Sequence, residues 1–232
     1  LSQPMRAVMR QLPHPVVVIT TLENTRSISR FEDTLDKDFP RPIPRGMTVS
    51  SFTSLSVDPV PRVTFNITLP STTYQALAKC GKFNAHILTG DEYGARIADL
   101  FTRARDYGAK VLAAIKAGGY KTDVALPPSG TLPVLQGRGI LHVLKCRYRH
   151  LPPPVDGDFD HHAIVMGDVL DIIPGESGDQ SDIALAYADR AYRQMGEKLL
   201  ERPTVDQPVY SEENAPLSDD VSTNNADDQK PS

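Results

Sequence analysis

Apolar residues recur along this chain with two different periods, and the switches between them mark its elements. Met5, Val8, Met9 and Leu12 share one face of a predicted helix, Pro13-His14-Pro15 breaks it, and the β-branched run 16–21 predicts a buried strand. Residues 22–45 lose periodicity and end in the proline-rich stretch 39–45, which predicts a long, partly extended surface loop with little core. From Gly46 the texture changes: six hydroxyls fall within positions 48–56, interleaved with Val49, Phe52 and Leu55, a density unusual for a core strand. Residues 62–67 alternate as a half-buried strand does, and Leu69-Pro70 ends it. Ser71-Thr72-Thr73 then precedes a short helix over 74–79 stopped by Gly81, so one of those hydroxyls should cap it.

Alternation returns over 82–88, and helical spacing follows over 91–101 and again over 104–117, before Gly118-Gly119 and Pro127-Pro128. Residues 135–149 read as one long strand, with Leu144, Cys146 and Tyr148 on one face and Lys145, Arg147 and Arg149 on the other. Prolines 152–154 turn the chain, 161–173 read as another strand, 174–181 as a polar loop and 183–200 as a helix-prone end. About six strands separated by turns, with short helices inserted, predict a mainly β (α+β) fold: an antiparallel β-barrel with peripheral helices. A parallel α/β sheet would need regular alternation, and no Gly-x-Gly-x-x-Gly follows a strand.

Charge divides the chain more sharply than hydropathy does. The formal net charge is −4, but residues 203–232 carry seven acids against Lys230 and are therefore −6, leaving residues 1–202 at about +2. That tail also holds four Pro and five Asn or Gln with few large apolar residues, so disorder is expected there. The expected organisation is one domain over 1–202, with insertions at about 22–45 and 103–131, and an acidic tail over 203–232. No broad basic surface points to nucleic acid, and no apolar run approaches the roughly 20 residues of a membrane-spanning helix. Cys80 and Cys146 lack metal-knuckle spacing and read as small buried hydrophobes in a reducing compartment. The chain starts at Leu1, consistent with a processed product or a fragment, and the expected location is the cytoplasm or the mitochondrial matrix rather than the outside of the cell.

The hydroxyl-rich stretch and Ser71-Thr72-Thr73 carry the candidate chemistry. A phosphate needs several converging donors, which Ser and Thr hydroxyls and the N–H groups of a helix start supply without a full positive charge. The plainer alternative is a strand whose hydroxyls face water beside an ordinary capped helix.

The stretch Gly46-Met-Thr-Val-Ser-Ser-Phe-Thr-Ser-Leu-Ser-Val-Asp-Pro59 resembles the signature of the flavin reductase-like family, FMN-binding split β-barrels. The resemblance extends over most of residues 5–195, interrupted at 22–44 and about 103–131. It implies that Thr48, Val49, Ser50 and Ser51, with Ser54 beside them, line a flavin. Asn66 would open a phosphate loop whose hydroxyls are Ser71, Thr72 and Thr73. His86 stands where the family usually has Asn, and a lone strand histidine is otherwise a structural residue. His162, five residues before Gly167, matches a histidine near the nicotinamide side and is the catalytic candidate, with His161 in place of the family's Asp. Adjacent strand residues face opposite ways, so the histidine pair makes a poor metal site, and no metal is expected. Tyr192 and Arg193 match the family's closing segment at the rim, with Arg190 where glycine is common.

The resemblance implies a homodimer in which NADH or NADPH reduces FMN, with FAD as the other candidate flavin, for an acceptor such as a partner monooxygenase. A flavin-binding or redox-sensing protein without rapid turnover is the second reading, since the insertions could cover the nicotinamide side. An oxidase of a pyridoxine phosphate ranks last, because no Arg or Lys cluster matches a second phosphate.

Overall fold

A computed structural model describes residues 1–23, 42–103, 108–118, 121–123, 132–150, 161–176 and 183–200. Residues 1–196 form one compact unit and 197–232 a second. The sequence expectations for most of the 22–45 loop, for 104–107, for much of the second insertion, for the 152–154 turn and for the acidic tail lie outside the described residues.

The described chain runs α1 (Ser2–Gln11), β1 (His14–Pro15), β2 (Val17–Glu23), β3 (Ile43–Val49), β4 (Thr53–Ser56), β5 (Arg62–Thr68), α2 (Thr72–Cys80), β6 (Lys82–Leu88), α3 (Glu92–Arg103) and α4 (Gly108–Ala117). It continues through β7 (Lys121–Asp123), β8 (Val134–Gln136), β9 (Ile140–Arg149), β10 (His162–Pro174), β11 (Ala186–Ala188) and β12 (Ala191–Arg193). Seven strands form one antiparallel sheet in the order β3-β2-β6-β9-β10-β5-β4.

The two edge strands of that sheet are neighbours in sequence. Only residues 50–52 separate β3 from β4, a span of at most about 14 Å even when extended, so the sheet must curl until its edges meet. The corner is pinned by a backbone N–H of Asn66 donating to Ser51 Oγ at 2.8 Å. This explains the hydroxyl density over 48–56. The stretch is two strand ends and the seam between them, where short polar side chains satisfy backbone that no ladder can reach.

Inside the barrel, Ile19, Phe65, Phe83, Val165 and Cys146 pack with Leu77 of α2. A Cβ on Gly167 would lie 2.5 Å from the Phe83 ring, so glycine is needed there for steric reasons. Burial, and then the Asp168 charge, push the Cys146 thiol up to about 12, and the residue behaves as the inert hydrophobe its sequence suggests. Outside, α3, α4 and β8 cover the sheet over β2, β6 and β9 with Ile97, Phe101, Leu112, Ile115 and Leu135. Over β10, β5 and β4 the same outer face lies open among the described residues, with Ile164 46% exposed.

Three expectations change. The 183–200 segment contains a hairpin: Asp189 and Arg190 take φ of 46° and 61°, the two-residue turn that matches strand twist, and Tyr187 pairs with Tyr192. Helical spacing of Leu185, Tyr187 and Ala188 was ambiguous for so short a run, and backbone bonds from Leu185 N–H to Leu88 O and from Val16 N–H to Leu185 O settle it as extended chain. The 135–149 strand is interrupted by Gly137 and Gly139, at φ of 108° and 92°. Both ends of the expected 22–45 loop are strand and core: Leu22 and Ile43 are buried, and Arg45 bonds Glu23 across the β2–β3 pair. Pro44 is tolerated because β3 is an edge of the ladder.

Candidate functional site

The start of α2 is built by its cap. Ser71, in extended conformation at φ −141° and ψ 121°, accepts the Tyr74 N–H on its Oγ at 3.2 Å, and its carbonyl accepts the Gln75 N–H at 3.1 Å. Thr72 and Thr73 are then the first helical residues, whose N–H groups have no partner within the helix and sit at the positive end of its dipole. The Ser71 hydroxyl keeps its own proton to donate.

Facing this start is β3. A Cβ on Gly46 would lie 2.6 Å from Phe101 Cε1, so glycine at the head of the motif lets the ring lie on the strand. Two residues on, Thr48 Oγ1 donates to the Ala98 carbonyl of α3 at 2.7 Å, and Thr102 Oγ1 donates to the same oxygen at 2.9 Å. Between α2, β3 and the end of α3 lies a cavity of about 700 Å³, within the range of small-ligand sites, lined by residues 46–48 and 68–73 with Gln75, Phe101 and Thr102. No charged side chain lines it among the described residues.

Of the residues singled out from sequence, the structure brings Thr48, Ser71, Thr72 and Thr73 together at this cavity. Val49 turns its side chain into the barrel core. Ser50 lies exposed at the corner, Ser51 and Asn66 are bonded to each other, and Ser54 sits on β4 opposite Val63. His162 starts β10 directly across from Thr68, which lines the cavity, but is not itself among the lining residues; His161 accepts the Leu69 N–H on its carbonyl at 2.8 Å. Tyr192 Oη lies 3.3 Å from Thr102 Oγ1, and Arg193 Nε donates to the Ala188 carbonyl within the hairpin.

His86 stands apart from this group. It is fully buried, with Nδ1 3.0 Å from the Val18 carbonyl and Nε2 accepting the Leu135 N–H at 3.0 Å, which places the proton on Nδ1. Burial lowers its pKa to about 4 against the pull of the Val18 carbonyl. Its two bonds tie β8 to β2 through β6, beside Thr20 Oγ1 and Asn84 Nδ2, which both donate to the Pro133 carbonyl. Both ring nitrogens are spent on backbone, so none is left for a ligand.

The family profile described as flavin reductase like domain matches residues 9–196. The chain belongs to the flavin reductase-like family. Among solved structures, a flavin reductase domain protein from Arthrobacter sp. FB24 is 23% identical, covers 87% of this chain and all of its own, and superposes with a TM-score of 0.60. The nitrilotriacetate monooxygenase component B homolog from Mycobacterium thermoresistibile is 21% identical, with 88% and 93% covered and a TM-score of 0.59. The NADH:FAD oxidoreductase SgcE6 of Streptomyces globisporus C-1027 is 20% identical, with 85% and 94% covered and a TM-score of 0.58. At these identities the likeness is one of fold, the split barrel.

In this flavin reductase-like chain the residues at the cavity outnumber those the motif pointed to. Thr68, Gln75, Phe101 and Thr102 line it as well. Phe101 and Thr102 follow one another at the end of an amphipathic helix, where periodicity assigns Phe101 to the core and says nothing of Thr102. The available signal was Gly46, whose missing side chain requires a close neighbour.

Proposed function

We propose that this flavin reductase-like protein holds a flavin by its phosphate in the α2–β3–α3 cavity and reduces it with NADH or NADPH. The observation that carries the proposal is the meeting of the capped α2 start with Thr48 across one cavity. A phosphate requires donors, and this donor set fits it: the Ser71 proton, the first-turn N–H groups at Thr72 and Thr73, and their hydroxyls. FMN is the proposed flavin, with FAD as the other candidate. When bound, the flavin supplies hydride acceptance from the nicotinamide and onward electron transfer. The chain's own work is positioning. Ser71–Thr73 anchor the phosphate, Thr48 fixes the facing wall, Phe101 excludes water from that wall, and His162, on the strand beside Thr68, contacts the nicotinamide.

The similar structures support the reading: one is an NADH:FAD oxidoreductase, and another a homolog of a monooxygenase component. A partner monooxygenase is accordingly the proposed acceptor of the reduced flavin. A homodimer is proposed as well, with the second copy covering the open outer face where Ile164 of β10 is 46% exposed. Among the described residues no helix is long and apolar enough to cross a membrane.

The test is anaerobic mixing of the flavin-loaded protein with NADH, and separately with NADPH. Loss of the yellow flavin absorbance within seconds is expected, for turnover on the order of 1 s⁻¹ or faster. Flavin bound but never bleached leaves a binding protein, and no flavin bound removes the reading altogether. Light scattering should give twice the chain mass, and Ile164→Asp should lower it to one.

A further inference from the structure

The cavity walls differ in hydrogen-bonding sense. At α2 they offer donors. At the last turn of α3 the protons are already spent: Thr48 Oγ1 and Thr102 Oγ1 each carry one hydrogen, and both give it to the Ala98 carbonyl, at 2.7 and 2.9 Å. Thr102 can therefore only accept in its 3.3 Å contact with the Tyr192 hydroxyl, which makes Tyr192 the donor. Hydroxyl oxygens accept through two lone pairs, so Thr48 and Thr102 still present acceptors, and no hydrogen, to whatever fills the cavity.

We propose that Thr102, held by Tyr192, is a positioning residue whose hydroxyl accepts a hydrogen bond from an O–H or N–H of the ligand, so that the non-phosphate part of the flavin is recognised separately from the phosphate. This rests on the flavin reading above. Tyr192 belongs to the β11–β12 hairpin, whose turn is tied to α1 by the Asp189 N–H donating to the Arg10 carbonyl at 2.9 Å. The hairpin meets the α3 wall through the Tyr192–Thr102 contact. A ligand that lacks a phosphate but keeps its hydroxyls and ring N–H should feel the Thr102 wall in full.

The experiment compares riboflavin with FMN, which differ by the phosphate alone, using quenching of flavin fluorescence to give Kd for the wild type, Thr102→Val, Thr102→Ser and Tyr192→Phe. Thr102→Val keeps the shape and loses the acceptor, and it is expected to weaken riboflavin and FMN by the same factor, about tenfold for one hydrogen bond. Thr102→Ser should restore wild-type binding of both. Tyr192→Phe should weaken both equally by a smaller factor, about threefold, with the ring contact to Tyr187 retained. Equal melting temperatures across the set show that the wall, and not the fold, was changed. Thr102→Val binding both ligands as tightly as the wild type, or losing FMN alone, overturns the proposal. A wild type that binds neither ligand removes the flavin reading itself, a distinct outcome.

Discussion

The outer face of the barrel exists in two conditions on one sheet. Over β2, β6 and β9 it is roofed by α3, α4 and β8, and its polar residues Thr20, Asn84 and His86 are buried and bonded to backbone of the 133–135 segment. Over β10, β5 and β4 it is unroofed among the described residues, and its polar residues bond one another: Arg62, Arg147 and Arg149 converge on Asp168 at 3.1, 3.4 and 2.8 Å. On the roofed half a polar group is neutral and each bond is worth its full desolvation cost; on the open half charges persist because water reaches the guanidiniums. The side-chain chemistry that a strand position accepts is thus set by what covers it, not by the strand.

The largest way to break this contrast is at His86. His86→Ala removes the ring and strands the Leu135 N–H and the Val18 carbonyl in a dry interior, which should cost about 4 kcal/mol, read as a lowered denaturation midpoint. The same residue gives the roofed half a pH dependence. Unfolded His86 has an ordinary pKa of 6.5 and the folded residue one of about 4, so the unfolded state binds more protons between those values. Stability should fall by about 3 kcal/mol as pH drops from 6.5 to 4, and His86→Ala should flatten that decline. A wild type whose stability is level across this window would sink the assignment.

Asp168 tests the open half with a smaller effect. Burial of the carboxyl works to raise its pKa, but hydrogen bonds from Arg149, Arg62 and Arg147 outweigh it and hold the group below the ordinary carboxylate value. The stabilisation is therefore complete above about pH 4 and is lost as pH falls below that toward the folded pKa, a window that begins where the His86 window ends. Asp168→Asn should cost about 2 kcal/mol at pH 7, because three guanidiniums lose their shared carboxylate while remaining partly hydrated. It should leave the slope between pH 6.5 and 4 intact. Loss of that slope in Asp168→Asn would mean that the two halves titrate as one.

The contrast also marks what the sequence made legible. Strand period showed β5 and β6 directly, since alternation there is clean, and about six strands separated by turns predicted the barrel, which the Gly46–Pro59 signature supports. The cap at Ser71 was readable from residue types alone. The roof was not: whether His86 met a ligand or a backbone amide depended on Leu135, 49 positions away and in a segment read as part of another strand. Thr102 was equally hidden, because its role comes from contacts with Ala98 and Tyr192 rather than from any pattern at its own position. Local chemistry is written locally; a long-range partner is chosen by the fold.

The smallest and most pointed test lies in the hairpin that closes the roofed half, whose Tyr187 and Tyr192 pack against its core. The family commonly has glycine where this chain has Arg190, and Arg190 sits at φ 61°, where an L side chain meets its own backbone. Asp189, at φ 46°, is a residue type that tolerates this region better. Arg190→Gly relieves about 1 kcal/mol of backbone strain and gives back part of it as unfolded-state entropy, for a net gain of about 0.5 kcal/mol. In a domain of this size that raises the melting temperature by about 1–2 °C. Arg190→Val should move it the other way by more, since a β-branched side chain is worst in this conformation. If glycine lowers the melting temperature and valine leaves it unchanged, the turn does not take a positive φ at Arg190, and the helix that spacing alone suggests for 183–200 regains its claim.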